Sequence, residues 1–96
     1  MEELLNSIKA DLDYLINNTD NQFIIDTCNM IDDKLNQIRN RTIISQESLN
    51  YFCDYIINKD INKMKRVISD ETKMEYTKMD ELATLISEIK EKYFEN

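Results

Sequence analysis

Between Phe23 and Ile38, the residues Ile24, Cys28, Ile31, Leu35 and Ile38 step by four, three, four and three. On a helix this spacing puts all five on one face. Phe23 and Met30 are expected to widen the stripe, while Asp26, Asp32, Asp33, Lys34 and Gln37 fall toward the opposite side. A face this regular is stable only when covered, so neighbouring helices are expected to pack against it.

The rest of the chain is suited to supplying those helices. None of the 96 residues is Gly or Pro. Tight hairpins that depend on such residues are hard to build, whereas helices joined by Asn-containing turns are not. Leu4, Leu5, Ile8, Leu12, Leu15 and Ile16 form a first stripe, with Glu2, Glu3, Lys9, Asp11 and Asp13 expected to face water. Acidic residues in the first turn suit the positive end of the helix dipole. The run from Asn17 to Asn21 reads as a break, because Asn tolerates the left-handed backbone that ends helices. Thr19 and Gln22 fit a capping box for the second helix, and Arg39 and Arg41 suit its negative end.

Thr42-Ile43-Ile44 reads as a short connection whose isoleucines plug one end of the core. Ser45 is a natural N-cap for the third helix. Cys53, Ile57, Ile61, Met64 and Ile68 keep one face through Asn58-Lys59-Asp60, so this helix is expected to continue, with a separate short helix capped by Asp60 as the alternative. Ser69-Asp70-Glu71-Thr72 reads as the start of the last helix. Its stripe is Met79, Leu82, Ile86, Ile89 and Tyr93, and Glu88 and Lys92 are spaced for an ion pair. The expected fold is all-α, an antiparallel bundle of four main helices over about 2–17, 20–40, 45–68 and 70–94, forming one domain over residues 1–96. A homodimer that covers the Phe23–Ile38 stripe is the alternative arrangement.

Much chemistry is missing. With no His and two cysteines 25 positions apart, the usual zinc ligand sets and the Glu-x-x-His pairs of di-iron bundles cannot form. Cys28 and Cys53 both lie on apolar stripes and read as small buried hydrophobes. No Gly-rich loop is present to cradle phosphate, and Asp11-Leu12-Asp13 is too little for a calcium loop. Helical nucleotide pyrophosphohydrolases bind magnesium through Glu-x-x-Glu and a later acidic pair. Glu88-Ile89-Lys90-Glu91 supplies the first half, but too little chain remains after it for the second. No cofactor, metal or enzymatic activity is therefore expected, with a magnesium-dependent hydrolase as a remote alternative. No apolar run approaches the ~20 residues that span a bilayer, and the acidic N-terminal stretch is unlike a signal peptide. A cytoplasmic protein with no membrane span is expected.

Charge is unevenly placed. Residues 1–33 hold eight acids and one base, 34–66 three acids and seven bases, and 67–96 eight acids and four bases, giving −7, +4 and −4 and the overall −7. Charge runs usually serve solubility. The functional reading is an acidic surface offered to a basic protein, with Glu2, Glu3, Asp11, Asp13, Asp32 and Asp33 as its candidate residues. Such a surface imitates nucleic-acid phosphate. Lys59, Lys63, Lys65 and Arg66 are too few in an acidic chain for direct nucleic-acid binding. Asn and Ile make up 25 residues, as in proteins from AT-rich genomes. The expectation is a non-catalytic protein-binding protein, such as a phage or mobile-element inhibitor of a host defence or nucleic-acid-binding protein.

The order of the stripes, Leu4-Leu5 through Leu15, Ile24 through Ile38, then Leu49-Asn50-Tyr51-Phe52, resembles that of the small cytosolic immunity proteins that protect bacteriocin producers. The resemblance implies a four-helix bundle and a recognition role. Many of those proteins are basic, whereas this chain is acidic.

Overall fold

A computed structural model describes residues 1–95. The elements are α1 (Glu2–Asn18), α2 (Gln22–Arg39), α3 (Gln46–Tyr55), a π-helical segment (Ile56–Ile61), α4 (Asn62–Ile68) and α5 (Met74–Lys92). Backbone angles stay helical through Tyr55, Ile56, Ile61 and Asn62. The chain from α3 to α4 is therefore one continuous rod, as the unbroken stripe suggested. The fold is an all-α, antiparallel four-helix bundle of about 37 × 21 × 20 Å. Among the described residues no helix is long and apolar enough to cross a membrane.

The stripes meet in one core. Leu4, Ile8, Leu12 and Leu15 of α1 join Ile24, Cys28, Ile31, Leu35 and Ile38 of α2, Leu49 and Cys53 of α3, and Met79, Leu82, Ile86 and Ile89 of α5. Ile56, Ile61 and Met64 complete it from the rod. Helix α5 touches α1, α3, the π segment and α4, whereas α2 touches α1, the π segment and α4. The centre of the packing is thus α5, although the stripe on α2 is the more regular in sequence. No Cα pair within 8 Å joins α2 to α3, so that flank of the bundle stays open.

The π turn changes which residues face inward. A turn closed by i→i+5 bonds takes one residue more than an α turn and shifts the register of the helix beyond it. Ile56, Asp60 and Ile61 are buried, and Ile57 is only partly so. Buried Asp60 is held by Lys34 of α2 at 2.5 Å, whose ammonium also stands 4.6 Å from the Tyr55 ring centroid. Lys34 therefore turns inward from the polar side of α2.

Several local expectations change. Asn21, rather than Thr19, caps α2, accepting from the N–H groups of Phe23 and Ile24 at 2.9 and 3.3 Å. Thr19 instead accepts from Asn21 N–H. Ser45 caps α3 as expected, accepting from Ser48 N–H. The left-handed positions fall on Arg41 (φ 56°) and Ser69 (φ 54°), not on Asn. Asp70 ties up Thr72 in a turn, so α5 begins at Met74 rather than near 70. Phe23 and Met30 are exposed rather than part of the stripe. Ile44 is exposed, and only Ile43 reaches the core's end, where the Tyr93 hydroxyl donates to its carbonyl and accepts from its N–H. Among the described residues no ion pair joins Glu88 to Lys92.

Candidate functional site

The candidate carboxylates divide between two faces. Glu2 and Glu3 are exposed in the first turn of α1. Asp13 is exposed on the α2 side, where Lys9 lies 3.5 Å from it and 3.5 Å from Asp32 of α2. Arg39 holds Asp32 from the other side at 3.3 Å, and Asp33 is exposed beside it. Asp11 lies roughly 200° around the helix from Asp13, which turns it toward α5. It was expected to face water but is only 6% exposed. The six residues therefore make an outer face of Glu2, Glu3, Asp13, Asp32 and Asp33, with Asp11 apart from it.

Around Asp11 the two antiparallel helices build a groove of about 600 Å³. Helix α1 lines it with Ser7, Ala10 and Asp11, and α5 with Thr77, Lys78, Asp80, Glu81, Thr84 and Leu85. The Lys78 ammonium is 3.1 Å from Glu81 Oε2, 3.7 Å from Asp11 Oδ1 and 5.4 Å from the Tyr14 ring centroid. Asp11 Oδ2 is buried without a hydrogen-bond partner. Burial pushes the Asp11 carboxyl above its ordinary range, and the charge of neighbouring Glu81 pushes it further. The nearby Lys78 pulls the other way.

Lys78 and Glu81 are not apolar, so the periodicity that located the core passed over them. Asp11 did carry a signal. Leu4, Ile8, Asp11 and Leu15 step by four, three and four, so this aspartate stands in a core position of the α1 stripe.

The cysteines are poor nucleophiles. Burial pushes the Cys28 thiol to about 12 and Cys53 to about 11, and both are free. Among the described residues no three His, Cys, Asp or Glu side chains are grouped to hold a metal ion. On the open flank, Lys34, Gln37, Phe52, Tyr55 and Tyr51 line a mainly apolar groove of about 350 Å³, and Tyr51 is 74% exposed. Comparison with protein-family models, curated proteins and solved structures finds no match.

Proposed function

We propose that this protein acts without catalysis, by docking the acidic outer face of α1 and α2 on a basic surface of another protein. One observation carries the reading. Among residues 1–33 the eight acids share a single lysine, and Lys9 is spent between Asp13 and Asp32. Glu2, Glu3, Asp20, Asp26 and Asp33 have no cation within 4.0 Å among the described residues. Exposed carboxylates without internal counter-ions attract a basic surface and speed its association.

The finer reading is an inhibitor that occupies the nucleic-acid site of its target, as phage and mobile-element proteins do to host defences. Small size, acidic charge and the Asn- and Ile-rich composition support it. The test compares capture by the natural protein with capture by a variant carrying Glu2→Gln, Glu3→Gln, Asp13→Asn and Asp33→Asn. The variant should lose the captured protein, and the natural pair should weaken as salt rises. Nucleic acid should compete for the same surface. Equal capture by both forms would overturn the reading.

A further inference from the structure

Asp11 is the side chain whose surroundings suit it least. It fills a core position of α1, and one of its oxygens is sealed from solvent without a donor. Leucine at this position would carry no such cost, because a buried acceptor left unpaired bears the full penalty of desolvation. The carboxyl nevertheless lines the α1–α5 groove, beside a second carboxyl, Glu81.

The local charge balance and geometry select a ligand. Asp11 and Glu81 face one cation, Lys78, which approaches a single oxygen of each. Asp80, on the same wall, is paired with Lys65. One negative charge is left when both facing carboxyls are ionised, and the remaining acceptor sites are spread over two carboxyl groups. A planar fork of N–H donors fits such a pair better than a second ammonium, and it gives up its hydration more readily. Ala10 and Leu85 border the groove and offer apolar surface to a methylene stem, while Ser7 and Thr84 add hydroxyl acceptors. The two oxygens of Asp11 exchange places when the carboxylate turns about its last bond, a soft torsion, so either one can face the groove while the other stays sealed.

We propose that the α1–α5 groove binds the guanidinium of an arginine side chain supplied by the protein partner, held jointly by Asp11 and Glu81. This rests on the reading that the partner is basic, and it names the group the partner inserts. Binding is linked to protonation. Burial and Glu81 favour the neutral acid at Asp11, whereas the guanidinium requires the carboxylate. Glu81 and Lys78 of α5 are the charged groups that act on it, with Asp80 on the same groove wall and the Tyr14 ring of α1 beside the Lys78 ammonium. Affinity should therefore fall as pH drops through the Asp11 titration.

The probe is Nα-acetyl-arginine amide, with its lysine counterpart as control, followed by NMR of the side-chain carboxyl carbons. The arginine probe should move the Asp11 and Glu81 signals saturably and shift the Asp11 titration to lower pH. Asp11→Asn and Glu81→Gln should each weaken the probe by about tenfold or more, as loss of a hydrogen bond to a charged group does. Glu81 is exposed, so its variant keeps the comparison valid even where Asp11→Asn alters the fold. A raised Asp11 titration that the probe leaves unmoved would mean that the two carboxyls merely share a proton, and would overturn the proposal. An equal response in natural and Glu81→Gln protein would overturn it too. The probe needs no partner, so the two readings fail separately: equal capture after the outer face is neutralised overturns the outer-face reading, and an Asp11 titration that the probe leaves unmoved overturns this one.

Discussion

Lys34→Ala is the substitution for which sequence and structure lead to opposite expectations. On the sequence Lys34 lies on the polar side of α2, where truncation costs less than ~0.5 kcal/mol. In the folded protein it holds Asp60, whose side chain keeps only 9% of its surface. Removing one partner of a fully buried pair costs roughly 3–5 kcal/mol, because the remaining charge is stranded. The Lys34 side chain keeps 26% of its surface, so water reaches the space it leaves, and the cost should fall to about 2 kcal/mol. That is a substantial part of the roughly 5–15 kcal/mol that holds a domain of this size. The melting temperature should fall by roughly 8–16 °C, at about 4–8 °C per kcal/mol. Urea denaturation of Lys34→Ala, with exposed Lys59→Ala as reference, measures the difference. In an Asp60→Asn background, where no charge is stranded, the same truncation should cost less than about 1 kcal/mol. Equal costs in the two backgrounds, or a Lys34 effect as small as that of Lys59, would refute the coupling.

Leu35 is fully buried, so Leu35→Ala should cost about 2–5 kcal/mol, with a urea midpoint independent of protein concentration; a midpoint rising with concentration would reveal a dimer. Ser69 ends α4 in the left-handed conformation, so Ser69→Gly should stabilise by about 1 kcal/mol, read as a higher melting temperature. The Asp11 carboxyl titrates above its ordinary 3.8 in the fold, so the folded state binds the proton more tightly and loses stability as pH rises past that value. Asp11→Asn should therefore gain stability over the natural protein near neutral pH and lose that advantage in acid, as thermal melts across pH would record. Cys28 and Cys53, pushed to about 12 and 11, should resist iodoacetamide near pH 8 in the fold and react fully in urea.

Helix type and the buried stripes were legible because both depend on local spacing. Ile24, Cys28, Ile31, Leu35 and Ile38 are all buried, and a 3.6-residue period leaves them no other way to share one surface. The Ser45 cap was legible for a similar reason, since its hydroxyl needs only the N–H of Ser48, three residues on. The outer acidic face was legible as composition, but its division was not. Placing Asp32 by Lys9 and Asp11 by Lys78 requires knowing which helix lies on each side of α1.

By itself, then, the sequence determined an all-α chain, its stripes and its surplus of acid, because these depend on composition and on spacing along a single helix. Tertiary structure decided the rest. It made α5 the centre of the packing, turned Lys34 inward to Asp60, and set Asp11 against Glu81. Lys34 and Asp60 are 26 positions apart and Asp11 and Glu81 lie near opposite ends of the chain, and their meeting, like the seating of α5, is governed by how the rods pack and by the extra residue in the π turn. Local periodicity carries no information about which face of a neighbouring helix will be opposite. A polar residue in a stripe therefore remains ambiguous until its partner is in place.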